Sequence, residues 1–119
     1  MHDLPKLPPA GDKVREWLTR AIAEGASDLH LVAGYPPVLR LHGELVEMAE
    51  PALTGEETQH LVRSLCSTDA FARLQAQKDI DFSFELAVDG HFCRFRANLF
   101  RSGGHHGACV RVVPAAIPP

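Results

Sequence analysis

Apolar and polar positions divide the chain into stretches with two different periods. Val14, Trp17, Leu18, Ala21 and Ile22 recur at i, i+3, i+4, i+7 and i+8, the one-sided stripe of an amphipathic helix. Asp12 suits the N-cap, and Gly25 stands just past the end as a stop. Residues 26–33 then alternate. Leu29, Leu31 and Ala33 point one way and Asp28, His30 and Val32 the other, which is the pattern of a half-buried strand. Gly34-Tyr35-Pro36-Pro37 breaks it. A second strand over 38–42 turns Leu39 and Leu41 inward and Arg40 outward. A third over 45–48 turns Val46 and Met48 inward. The turn between them uses either His42-Gly43 or Gly43-Glu44, and both choices bury the same faces.

The period changes again after Pro51. Thr54 with Glu57 three residues on forms a capping box, and Leu61, Val62, Leu65 and Cys66 supply the buried stripe of the helix that follows. A short helix from near Thr68 to about Gln77 carries Ala70, Phe71 and Leu74. Residues 79–114 return to alternation and read as three strands. Asp89-Gly90 is a two-residue hairpin signal. It pairs Val88 with His91, Leu86 with Cys93, Phe84 with Phe95 and Phe82 with Ala97 on an apolar face. On the other face it pairs Glu85 with Arg94, Ser83 with Arg96 and Asp81 with Asn98. A four-residue loop at Ser102-Gly103-Gly104-His105 then sets Leu99 against Ala108, Ala97 against Val110 and Phe95 against Val112. On the far side it places Arg96 opposite Arg111. Helix, three strands, two helices and three strands make an α+β domain. Its antiparallel sheet of about six strands, with helices packed on one face, resembles the PAS-like family of small sheets.

Composition narrows the function classes. A chain of 119 residues holds one domain with one core. With 45% hydrophobic and 23% charged residues it is not a disordered segment. A formal net charge of -3 argues against a nucleic-acid partner. There is no apolar run of about 18 residues to span a membrane, and the N-terminus lacks a secretory pattern. Three cysteines leave one unpaired in any disulfide scheme, which fits a reduced, cytoplasmic protein. Residues 1–11 hold three of the nine prolines and read as a flexible lead. Residues 12–114 read as the domain, and the terminal AAIPP, 115–119, as the start of a linker.

The outward arginines are the candidate chemistry. Arg94 has Glu85 as a cross-strand partner, a surface pair worth under about 1 kcal/mol. Arg96 and Arg111 face each other with no carboxylate as direct neighbour. Like charges so placed are destabilising, so either both splay into solvent or reach Asp81 or Glu85 diagonally, or they wait for phosphate or a partner's carboxylates. His91, Cys93, His105, His106 and Cys109 invite a zinc site. However, His91 and Cys93 lie far along the hairpin from His105, and Cys93 faces the core. No metal is expected, and His105 and His106 read as polar loop-tip residues. Asp28 and His30 share a strand face, but nothing placed by sequence completes an acid–base site, so their expected role is structural. The phosphate-loop pattern GxxxxGK[ST] occurs nowhere, so this chain alone does not hydrolyse a nucleotide by that chemistry.

Five motifs in order carry a family resemblance: ASDLHL at 26–31, PPVLRLHGEL at 36–45, LTGEE at 53–57, DIDFSFEL at 79–86 and RFRANLFR…GGHHGACVRVVP at 94–114. Together, over nearly the whole of residues 14–114, they resemble the N-terminal domain of PilT-like type IV pilus retraction ATPases, in the type II/IV secretion ATPase superfamily. The resemblance implies a PAS-like domain that precedes a RecA-like ATPase domain, with ATP and Mg2+ bound by the latter and six subunits in a ring. It also implies packing of this domain on the neighbouring subunit's ATPase domain, with Arg96, Arg111 and Arg40, and less strongly Arg94, directed toward the nucleotide. Asp28 and His30 match the family's ASDLHL signature as structural residues. The implied setting is cytoplasmic, at the inner-membrane pilus machinery. The His105-His106 loop departs from the glycine-rich run usual at that turn. Rival readings are a pilus-assembly or type II secretion ATPase, a free-standing PAS-like ligand-binding or adaptor domain, and a small zinc enzyme.

Overall fold

A computed structural model describes residues 12–114. The expected lead (1–11) and linker (115–119) lie outside the described residues. Nine elements follow one another: α1 (Asp12–Glu24), β1 (Asp28–Leu31), β2 (Val38–Leu41), β3 (Glu44–Glu47), α2 (Gly55–Leu65), α3 (Thr68–Gln77), β4 (Asp79–Val88), β5 (His91–Ser102) and β6 (His105–Val113). The six strands form one antiparallel sheet in the order β3-β2-β1-β6-β5-β4. This is the expected α+β, PAS-like arrangement. The order puts β1 beside β6, so the two meanders close on each other at the middle of the sheet.

The helices end where their local chemistry stops them. Gly25 takes a left-handed φ of 75°, and Gly25 N–H and Ala26 N–H donate to the carbonyls of Ile22 and Ala21 at 3.1 and 2.8 Å. This is a Schellman stop that only glycine enters without strain. Asp12, expected as the N-cap, is the first described residue and lies within α1. At α2 the capping box is complete. Glu57 N–H donates to Thr54 Oγ1 at 3.0 Å, and Thr54 N–H donates to Glu57 Oε1 at 2.8 Å. Ser67 caps α3 by accepting from Ala70 N–H.

One face of the sheet carries the core. Leu29 and Leu31 of β1, Leu39 of β2, Val110 and Ala108 of β6, and Phe95, Ala97 and Leu99 of β5 are buried there. They pack in one cluster with Val14, Trp17, Leu18, Val62, Leu65 and Leu74 from the helices. The Asp89-Gly90 hairpin forms as expected, and β4 and β5 pair from Val88↔His91 to Asp79↔Phe100. His42-Gly43 forms the other ambiguous turn, since Leu41 pairs with Glu44 and both turn residues have positive φ.

Three local expectations change. The β5–β6 register is as expected, but pairing continues to Ser102↔His105, so the loop is the two residues Gly103-Gly104. Both take positive φ, which lets a two-residue loop replace four. His105 and His106 are therefore strand residues, not loop tips. His106 is buried, stacks on Phe71 with ring centroids 5.3 Å apart, and meets Gln75 Oε1 at 2.8 Å through Nε2. Finally, Val46 is 41% exposed, because it lies on the edge strand β3, of which every residue is exposed.

Candidate functional site

The second face of the sheet is built by the alternate residues of the same strands, and its registers join into a transverse row. Ser83, Arg96, Arg111, Asp28, Arg40 and Leu45 are consecutive partners across β4, β5, β6, β1, β2 and β3. The strands of this row are spaced by about 4.8 Å. Three guanidiniums and one carboxylate therefore share one line across the sheet.

Asp28 organises that line. It is 5% exposed although it lies on the face opposite the core. Arg40 Nε donates to its Oδ2 at 3.2 Å, and Arg111 Nε donates to its Oδ1 at 3.3 Å. Each carboxylate oxygen thus has one arginine, and the two side chains roof the carboxylate. Arg40 also donates through Nη1 to the carbonyl of Gly43 at 3.1 Å, which fixes its far end. Arg111 is held only through Nε, and its side chain is 68% exposed. Its terminal nitrogens remain available to donate outward.

This corrects one reading of the sequence. Arg111 does not lack a carboxylate neighbour, because the β1–β6 pairing sets it directly opposite Asp28. Arg96 does lack one. It pairs in register with Arg111 and forms no ion pair among the described residues. Two positive charges on the row are left without compensation. Arg96 and Arg111, with Asp81, Asn98 and Cys109, line a shallow depression of about 310 Å³. Arg94 has the expected partner, with Nη2 3.1 Å from Glu85 Oε2, and Asn98 Nδ2 donates to Asp81 Oδ1 at 3.1 Å.

His30 borders the cluster. Its Nε2 is 4.0 Å from Asp28 Oδ2. Burial pushes its pKa below the ordinary value, Asp28 opposes that shift, and Arg40 reinforces it. The ring is therefore biased to the neutral form, and the arginines, not His30, neutralise Asp28. The Cys109 thiol beside it is pushed up by burial and then by Asp28, against Arg111 and Arg40. It is disposed to stay a thiol rather than become a nucleophile. Among the described residues no group of three or more His, Cys, Asp or Glu side chains is placed to hold a metal ion. No described helix is long and apolar enough to cross a membrane.

The chain is 33% identical over 104 residues to the type IV pilus retraction ATPase PilT of Pseudomonas aeruginosa, covering 87% of this chain and 29% of that protein. It is 30% identical over 86 residues to a twitching motility protein of Neisseria gonorrhoeae, covering 72% of this chain and 22% of the other. Its fold superposes on the pilus retraction motor PilT with bound ADP at a TM-score of 0.74 and 42% identity, over 87% of this chain and 29% of that one. In sequence and fold the chain is the N-terminal region of a PilT-like ATPase. The Legionella pneumophila ATPase DotB shares the fold at a TM-score of 0.75 and 24% identity, over 98% of this chain and 32% of that chain. No family model matches. The PilT-like chain thus spans under a third of the length of these relatives. Within this PilT-like region, Asp28 of ASDLHL lies at the centre of the arginine row and His30 at its border.

Proposed function

We propose that this chain serves as the regulatory and assembly domain of a hexameric pilus retraction ATPase. In this reading it packs on the ATPase domain of the neighbouring subunit and presents Arg96 and Arg111 toward the nucleotide bound there. The observation that carries it is the pair Arg96–Arg111. The two are adjacent in register on a sheet face that no described helix covers, and Asp28, shared with Arg40, offsets only one of the row's three positive charges. A planar guanidinium matches phosphate oxygens by paired N–H donation. The donor set suits phosphate and not a divalent cation, because its one buried carboxylate is already engaged by two arginines. ATP and Mg2+ are therefore assigned to the ATPase domain of the longer protein, and the arginines to reading phosphate charge across the interface.

The retraction branch is chosen because the sequence relatives are a pilus retraction ATPase and a twitching motility protein. The working position in this reading is the cytoplasmic face of the inner-membrane pilus machinery. In the longer protein, Arg96→Ala and Arg111→Ala each lower ATP turnover by about tenfold or more while the fold is retained. Wild-type turnover in both variants contradicts the reading.

A further inference from the structure

We infer that Asp28 is a positioning residue for phosphate recognition, and that the arginine row is an anion site in this chain alone, before any neighbouring domain joins it. The inference deepens the proposed function and rests on its choice of phosphate as the ligand chemistry. It departs from that reading in locating a complete first grip on the phosphate within one chain.

The geometry carries it. A free arginine side chain has many rotamers, and each must be lost on binding. Arg111 has already lost much of that freedom. Its Nε is tied to Asp28 Oδ1, and its two terminal nitrogens donate to no partner among the described residues. Arg40 fills the other oxygen and is itself anchored to the Gly43 carbonyl, so Asp28 has no second arrangement to offer at equal cost. Arg96, one strand further along the row, then stands beside an oriented guanidinium rather than a mobile one. Asn98, in the neighbouring row of the same depression, gives its amide hydrogens to Asp81 Oδ1 at 3.1 Å and to the Ile80 carbonyl at 3.5 Å, so the donors left for an anion there are the guanidiniums. A group with two negative charges and several oxygens, such as a terminal phosphate, matches the row's net excess of two positive charges and the terminal nitrogens of Arg96 and Arg111. A nucleotide's phosphate chain and a free polyphosphate present the same groups.

The sign of one substitution separates positioning from bulk charge. Asp28→Asn makes the row more positive by one unit. If the arginines act only as charge, anion affinity rises. If Asp28 positions them, affinity falls. Titration of the full 119-residue chain at low salt with tripolyphosphate, ATP and adenosine, followed by calorimetry, reads this directly. Wild type is expected to bind tripolyphosphate and ATP alike and adenosine not at all. Asp28→Asn is expected to weaken tripolyphosphate binding about tenfold despite its added positive charge. Arg111→Lys keeps the charge but has no fork to spare for both Asp28 and phosphate, and it is expected to lose a similar factor. It carries the test if Asp28→Asn does not fold. Arg73→Ala, on α3, controls for loss of a distant positive charge. Unchanged or tighter binding by a folded Asp28→Asn chain overturns the inference, as does wild-type affinity in Arg111→Lys, binding of adenosine, or no binding of tripolyphosphate by wild type. None of these results alters the turnover test in the longer protein, so the two readings fail separately.

Discussion

Arg111 donates through Nε to Asp28, 83 residues earlier in the chain, at 3.3 Å across the β1–β6 boundary. The contact joins the first and last strands of the domain on the face opposite the core. It turns a carboxylate that would be costly to bury alone into the centre of a satisfied pair of guanidiniums. It also divides the arginines. Arg40 and Arg111 are built into the sheet through Asp28, whereas Arg96 is left beside them without a partner.

The two arginines that hold Asp28 differ in exposure, at 38% for the Arg40 side chain and 68% for Arg111. Water replaces the more exposed one more readily, so its loss costs less. Arg40→Ala is expected to destabilise the domain by about 1–2 kcal/mol, and Arg111→Ala by under about 1 kcal/mol. Urea unfolding of the two variants checks the order, and a larger loss in Arg111→Ala contradicts it.

Gly107 sits opposite Phe100 in the β5–β6 ladder and is buried. A Cβ there would lie 2.5 Å from Phe100 Cε1 and 2.9 Å from the Leu31 carbonyl oxygen. The ring can shift, but the carbonyl belongs to the central strand β1 and cannot move without its ladder. Gly107→Ala is expected to lower stability by about 1–3 kcal/mol through overpacking, seen as a lower urea midpoint at unchanged slope. A midpoint equal to wild type shows that the ladder gives way without cost.

His106 makes stability depend on pH. Burial, then Arg101 and His105, lower its pKa below the ordinary 6.5. The folded state therefore favours the neutral ring more than the unfolded state does. The contribution is present above about pH 6.5 and is lost as pH falls through the folded value. The chain is expected to be less stable at pH 5 than at pH 7. His106→Gln is expected to be destabilised at pH 7 and to approach wild type at pH 5. A gap between the two that stays constant over this range contradicts the assignment to His106. His30, lowered for the same main reason, adds to the wild-type slope but not to this difference.

Much of the fold was legible because its signals are local. Asp89-Gly90 set the β4–β5 register over ten pairs, and Thr54 with Glu57 marked the start of α2. The facing of Arg96 and Arg111 followed from two hairpins in succession. What was not legible depends on contacts far apart in sequence. Alternation placed Asp28 on the outward face, but only the pairing of β1 with β6 places it under Arg111 and out of water. The burial of His106 required knowing that Gly103-Gly104 alone makes the turn and that α3 brings Phe71 and Gln75 over the strand. Val46 has the pattern of an inward residue, and only its place on the edge of the sheet exposes it.

The central claim is that Arg96 and Arg111 act on the nucleotide of a neighbouring subunit. Mixed oligomers of the longer protein test it directly. One subunit type carries Arg96→Ala with Arg111→Ala and an intact ATPase domain; the other keeps both arginines and has an inactivated phosphate loop. Each alone is expected to turn over ATP slowly. Mixed, they are expected to recover turnover, because arginines of the second type then face intact nucleotide sites of the first. Turnover in the mixture no higher than the average of the two separate preparations contradicts action across the subunit boundary.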